Sequence, residues 1–299
     1  MSFGAAASAY EQFRPGYPEE LVDEVLAYAA RPVRTALEIG AGTGKATRVF
    51  ASRGIEVTAT DPDAEMLAEL TKKVPATVAT VQAALEDLPL TTTFDLVFAA
   101  ASFHWTDAEQ RRTRVASLLN AGGIFASFGG QLNLADSGIE DAVRAVRTQF
   151  LTDDDVPSPD GTAPSSPMQW PGTELARSGF FIDIRQSVIE RRLLLSSHDY
   201  LGYLSTVSAY LLLPDSARRQ VLGLVLGVLP PAGDRAGRPH HPPRQEGMTK
   251  LDQHRHELIC REFGGSSSRR RPYWRLREGQ MAMMSRCSSR PAKSSMLRV

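Results

Sequence analysis

The stretch Ala36-Leu37-Glu38-Ile39-Gly40-Ala41-Gly42-Thr43-Gly44-Lys45 decides how this chain is read. A short apolar run ends in three glycines at alternate positions, and a helical pattern follows to about residue 52. Glycines between a strand and a helix let backbone come close to a ligand, and a helix N-terminus attracts negative charge. The dinucleotide fingerprint Gly-x-Gly-x-x-Gly would need glycine at position 45, where Lys45 stands. The spacing present is acidic-x-Gly-x-Gly-x-Gly.

Working outward, 35–39 reads as the first strand. Upstream, Pro18 sits where a helix tolerates it, in the first turn, and Leu21, Val22, Val25, Leu26 and Ala29 repeat at helical spacing. Downstream, 55–60 reads as a second strand, Pro62 opens a helix, and 76–83 is a third strand. Residues 94–101 are almost continuously apolar, as a strand covered on both faces should be. Thr106-Asp107-Ala108-Glu109 reads as a capping box, with Thr106 as N-cap of a helix running to about residue 120. A fifth strand at 124–128, a helix over 138–150, a long loop at 152–172, a sixth strand within 181–195 and helices over 200–213 and 216–229 complete the series. Strand-helix alternation predicts an α/β fold, a mostly parallel Rossmann-like sheet with helices on both faces.

The chain has 299 residues, 42% hydrophobic and 23% charged, an ordinary globular mixture. Its 34 basic and 34 acidic residues cancel, which argues against a uniformly basic nucleic-acid binder. Two cysteines, Cys260 and Cys287, make no disulfide scaffold and suggest a reducing compartment. No signal peptide is recognisable, and the longest apolar runs fall short of the roughly 20 residues of a membrane span. The expectation is a cytoplasmic protein with no membrane or nucleic-acid partner.

The glycine turn resembles motif I of the class I S-adenosylmethionine-dependent methyltransferases. The likeness continues in order: Asp61 after the second strand, Glu86-Asp87-Leu88-Pro89 after the third, Phe94-Asp95-Leu96-Val97 with Ser102-Phe103-His104-Trp105 at the fourth, and Leu118-Leu119-Asn120-Ala121-Gly122-Gly123 before the fifth. Tyr10-Glu11-Gln12-Phe13-Arg14-Pro15-Gly16-Tyr17-Pro18 is similar to the N-terminal segment of a small-molecule-type subgroup that also carries the His-Trp pair. The resemblance spans about residues 10–230. It implies S-adenosylmethionine as cofactor and a small-molecule methyl acceptor as partner. The alternatives are an NAD(P)-type oxidoreductase, against which Lys45 argues, and a methyltransferase-fold binding protein without activity.

By the same resemblance, Glu38, Gly40, Ala41, Gly42 and Gly44 would hold the amino-acid end of the cofactor and Asp61 its ribose. A carboxylate suits the ribose because it can accept two hydrogen bonds at once. Pro62, Ala84 and Leu85 would flank the adenine; Ala84 stands where many relatives have Asp, so a side-chain hydrogen bond is missing there. Tyr10 and Arg14 would close over the cofactor, and Tyr17 and Trp105 would meet the substrate, Trp105 also offering its face to a sulfonium. His104 is the candidate base, since imidazole titrates near working pH. Methyl transfer is an in-line displacement needing alignment more than a covalent intermediate. No Ser-His-Asp or Cys-His constellation and no metal-ligand spacing is seen.

A composition break falls near residue 230. Residues 231–299 hold 15 basic and 6 acidic residues, leaving 19 basic and 28 acidic in 1–230. Two domains are expected: a methyltransferase domain at 1–230 and a basic, low-complexity, disordered tail at 231–299. The resembled fold closes with an antiparallel seventh strand, yet 233–244 is Gly-Asp-Arg-Ala-Gly-Arg-Pro-His-His-Pro-Pro-Arg. The closing strand is therefore expected to be missing or replaced. With permitted synonymous codons, the shifted frame of that stretch can read Val-Thr-Val-Pro-Val-Asp-Leu-Ile-Ile-His-Leu-Ala-Arg, which is strand-like, so a frame change near Ala232 is expected. Sequencing the coding DNA tests this: codons incompatible with that alternative string would exclude it.

Overall fold

The computed structural model of the chain describes residues 7–151, 158–229 and 273–288. Its centre is a seven-stranded sheet in the order β3-β2-β1-β4-β5-β7-β6. The strands are β1 (Thr35–Ile39), β2 (Glu56–Asp61), β3 (Ala79–Gln82), β4 (Phe94–Ala100), β5 (Leu119–Leu134), β6 (Phe181–Ser196) and β7 (Tyr273–Cys287). The first five run parallel, and β7 lies antiparallel between β5 and β6. This is the mixed, mostly parallel Rossmann-like architecture that the alternation of the sequence predicts.

Period-two burial explains why helices cover both faces. On β4, Leu96 and Phe98 join one core layer with α2 (Glu19–Ala29) and α3 (Lys45–Ala51), where the Phe50 and Phe98 rings stack at 4.3 Å. Val97 and Ala99 point the other way, into a layer with Leu37, Ile39, Phe103 and Phe125 that reaches α5 (Arg111–Ser117) and α7 (Gly172–Ser178). A third apolar cluster lies on the long ends of β5 and β7. There Leu132, Leu134 and Leu276 pack against α6 (Ser137–Arg147), α8 (Ser197–Ser205), α9 (Ser208–Leu211) and α10 (Asp215–Val228). The last five-residue group in the core, around Leu67 and Leu70, seats α4 (Ala64–Thr71) beside β2.

Two expectations are corrected. Of the alternatives for the closing strand, missing or replaced, the sheet has the second: β7, from 273–287, pairs with β5 from Ile124↔Arg286 to Leu134↔Leu276 and with β6 along its whole length. Residues 273–287, expected to belong to a disordered tail outside the first domain, are thus part of its sheet. The stretch 233–244, on which the frame argument rests, lies outside the described residues. The helix after β4 begins at Arg111, and Thr106 is not its cap: the Thr106 hydroxyl donates to the Phe103 carbonyl, while Asp107 accepts from the N–H groups of Glu109 and Gln110. The sequence reading also missed a short first helix, α1 (Ala7–Phe13), whose tyrosine, phenylalanine and small residues carry no strong helical period.

β7 is polar for a strand between two others. Glu278, Gln280 and Ser285 are buried, and Gln280 Oε1 and Ser285 Oγ have no hydrogen-bond partner. An unsatisfied buried polar group costs roughly 1–3 kcal/mol, a cost offset by the two ladders and by burial of Leu276, Ala282, Met283 and Met284 in the core. Ser285→Ala is expected to raise stability by about 1 kcal/mol in urea denaturation. A loss of stability would mean that the hydroxyl is satisfied.

Candidate active site

β1 has β2 on one side and β4 on the other, so chain connections leave it in opposite directions. Ligands in open α/β sheets bind in the crevice at such a switch point, outside the carboxyl ends of the strands. Here that crevice is a cavity of about 470 Å³ walled by the exits of β1, β2, β3 and β4, by α1, and by the turn between α8 and α9.

The glycine turn forms its floor. Gly40, Gly42 and Gly44 have φ of 64°, 55° and 81°, a left-handed backbone that side chains resist. A Cβ on Gly40 would lie 2.6 Å from the Ser102 side chain, and one on Gly44 would lie 2.7 Å from Leu70. A Cβ on Gly42 would meet nothing within 4 Å. Two of the glycines are therefore required by packing, whereas Gly42 leaves open space at the cavity wall.

Asp61 holds the turn from the side. Its Oδ2 accepts the Gly42 N–H at 2.9 Å and its Oδ1 accepts the Asp63 N–H at 2.9 Å. Burial pushes the Asp61 carboxyl up, opposed by those two N–H groups. The helix behind it is capped by Asp63, which accepts from Glu65 and Met66, so helix capping does not account for Asp61.

Tyr10, Arg14, Gly40, Gly42, Asp61, Pro62, Ala84, Leu85, His104 and Trp105 all line this one cavity. Four other expected site residues are placed elsewhere. Glu38 is fully buried under the turn, with Thr47 Oγ1 donating to Oε2 at 2.5 Å and Oε1 unpartnered. Ala41 packs with Ala59, Leu67 and Leu70. Gly44 packs against α4 as described, and Tyr17 meets Phe128 edge-on at 5.2 Å beside the core.

His104 follows β4 in a short 3-10 turn, Phe103–Trp105, whose Trp105 is 54% exposed. Partial burial lowers the His104 imidazole's pKa, and the Arg111 charge lowers it further. The turn is anchored from behind. Phe103 stacks on Trp170 at 5.7 Å, Arg111 lies over both rings, and Arg111 Nε and Trp170 Nε1 both donate to the buried Glu174 carboxylate, at 2.8 and 2.7 Å. The segment of α8 and α9 lines the cavity through Tyr203, Thr206, Val207 and Ser208, whereas none of the described part of loop 152–172 does. Sequence periodicity could point to those helices but not to the individual residues, because only the long ends of β5 and β7 decide which helical face looks inward.

Residues 37–127 match the family model described as methyltransferase domain. An uncharacterized methyltransferase of Mycobacterium bovis is 44% identical over 124 residues, 41% of this chain and 49% of that protein. A malonyl-acyl-carrier-protein O-methyltransferase of Enterobacter lignolyticus is 34% identical over 128 residues, 42% of this chain and 50% of that protein. The chain spans about half the length of the curated relatives it matches. A solved structure from Anaeromyxobacter dehalogenans, described as a candidate type II methyltransferase, aligns over 92% of this chain and 98% of that one with a TM-score of 0.53 and 20% identity, a likeness of fold alone. Among the described residues, no helix is long and apolar enough to cross a membrane.

Burial pushes the Glu38 carboxyl up to about 8, against the help of the Thr47 hydroxyl. The folded chain thus keeps a proton that the unfolded chain releases near 4.5. Its contribution to stability is fully present below the unfolded value and is lost as pH rises through the folded one, by up to roughly 1.4 kcal/mol per pH unit. Glu38→Gln is expected to flatten this slope between about pH 5 and 8 in urea denaturation. An unchanged slope would show that Glu38 is ionised in the fold.

Proposed function

We propose that this chain transfers a methyl group from S-adenosylmethionine to a small-molecule acceptor. The observation that carries the reading is that the open face of Gly42 and the Asp61 carboxylate meet on one wall of a single cavity at the switch point of the sheet. When bound, the cofactor supplies an electrophilic methyl on a sulfonium whose leaving group is neutral. The chain's own task is to bind, align and exclude water.

Gly40 and Gly42 leave backbone, not side chains, against the methionine moiety. Each Asp61 oxygen already accepts one N–H and retains acceptor capacity for a ribose hydroxyl. Pro62, Ala84 and Leu85 offer an apolar slot for the adenine. Tyr10 and Arg14 cover the opposite side, with Arg14 steered by donating to Thr206 Oγ1 at 2.9 Å and to the Thr206 carbonyl at 3.0 Å. Glu38, Ala41 and Gly44 support the turn from beneath, and Tyr17 supports it through the core.

His104 takes the acceptor's proton. Its lowered pKa keeps the imidazole neutral near pH 7 and therefore able to accept. An acceptor hydroxyl, which still carries its proton near pH 7, is the case in which such a base matters most. Trp105, Tyr203, Thr206, Val207 and Ser208 wall the acceptor end.

Titration calorimetry with S-adenosylhomocysteine and with NAD tests the cofactor: binding of the first and not the second is expected, and the reverse would overturn the reading. Asp61→Ala is expected to weaken S-adenosylhomocysteine binding by about tenfold or more, the effect of losing charged hydrogen bonds. On a panel of small acceptors, His104→Ala is expected to lower turnover by roughly 10²–10⁴-fold while the cofactor Kd stays unchanged. Equal loss of both would reduce His104 to a structural role, and no methyl release from any acceptor would favour a binding protein without activity.

A further inference from the structure

Outside the cavity, one side chain joins the first helix to the glycine turn. Glu11 Oε2 accepts the Thr43 hydroxyl at 2.7 Å and lies 3.4 Å from Lys45 Nζ, and Oε1 lies 3.1 Å from Arg48 Nη2. Lys45 Nζ also donates to the Glu11 carbonyl at 2.8 Å, and Arg48 Nη1 donates to the Thr43 carbonyl at 3.3 Å. A hydroxyl of the turn and two cations of α3 thus converge on one carboxylate. Neither Glu11 nor Thr43, Lys45 or Arg48 lines the cavity.

Tyr10, in α1, and Arg14, just past its end, do line it. Tyr10 precedes Glu11, and Arg14, whose N–H donates to the Tyr10 carbonyl at 3.0 Å, follows three residues on. The Arg14 guanidinium lies 5.2 Å from the Tyr10 ring centre and 4.9 Å from that of Tyr203. At its far end α1 abuts α8 so closely that a Cβ on Gly202 would lie 2.4 Å from the Phe13 ring. The helix therefore packs on α8 and on α4, and Glu11 adds a polar fastening to the glycine turn.

We propose that Glu11 is a positioning residue: its ionic latch to Thr43, Lys45 and Arg48 holds Tyr10 and Arg14 over the glycine turn, and so sets the affinity for the ligand of the cavity without touching it. This rests on the methyltransferase reading for the identity of that ligand. Burial alone would push the Glu11 carboxyl up, and the Thr43 hydroxyl and the two cations overcome this to hold it below its usual range, as a working latch requires. Linkage makes the coupling reciprocal: a ligand that meets Tyr10 and Arg14 must in turn hold α1 down.

The test uses the full chain and two probes. Titration with S-adenosylhomocysteine is compared for the wild type, Glu11→Gln, Lys45→Met and the double variant, and amide hydrogen exchange of residues 7–13 is measured with and without that ligand. Glu11→Gln keeps the size of the side chain and an acceptor for Thr43 while removing the charge. A Kd raised about fivefold or more in each single variant, a double variant no worse than the weaker single one, and faster exchange confined to α1 are expected. A merely structural role would lower the melting temperature and speed exchange throughout while leaving Kd within twofold, and that result overturns the proposal. If the wild type binds no S-adenosylhomocysteine, the methyltransferase reading fails, and the exchange data in the free protein then decide the latch. Selective release of α1 in Glu11→Gln supports it, and unchanged α1 exchange overturns it.

Discussion

The structure depends on a backbone constraint at one place. Where β1 ends, the chain must reverse its side of the sheet, come back under α3 and leave room above. Only a backbone in the left-handed region does this in so few residues, and Gly40, Gly42 and Gly44 supply it. The Ser102 and Leu70 side chains press against the first and last of these glycines, so the neighbouring β4 exit and α4 are shaped to the turn. Asp61 then ties the turn's middle N–H to the end of β2. Sheet, helices and cavity meet at these six residues.

Charge around that turn is divided by depth. Glu38 lies beneath it without access to water and keeps its proton; Asp61 lies beside it, partly open to the cavity; Glu11 lies outside it, ionised among cations. Three carboxyl groups of one type thus do different work because burial and partners differ, not because of their positions in the chain. On the opposite wall the same logic governs His104, whose turn is backed by two aromatic rings and a buried Arg111–Glu174 pair. Buried pairs of this kind add little net stability but fix geometry when every partner is present.

The sheet shows where local pattern and tertiary context part. β1, β2, β4 and the 124–128 part of β5 were legible because parallel strands covered on both faces are apolar and bounded by turn residues, as 94–101 shows. β7 was not: 273–280 has no strong apolar alternation, and the strand is placed by pairing with the edges of β5 and β6 together with burial of Leu276, Ala282, Met283 and Met284. α1 escaped notice because its helicity comes from docking on α4, α8 and the glycine turn. Thr106 was misread because its hydroxyl can bond backward as readily as forward, and the 3-10 turn at Phe103 decides the direction.

The amino-acid sequence by itself determined the glycine turn, the acidic residue after β2, the His-Trp pair after β4 and the alternation that makes an α/β sheet. These are local: each is a residue type demanded by a dihedral angle, a charge or a period. Only the tertiary structure decided which of those residues share a cavity. It set Glu38, Ala41, Gly44 and Tyr17 apart from Gly42, Asp61 and His104, brought Tyr203 and Thr206 in from far along the chain, and turned Glu11 toward Lys45 and Arg48. The reason is physical: spacing along a chain settles the face of a strand or helix, but which faces meet is settled by long-range packing and by the search of buried polar groups for partners.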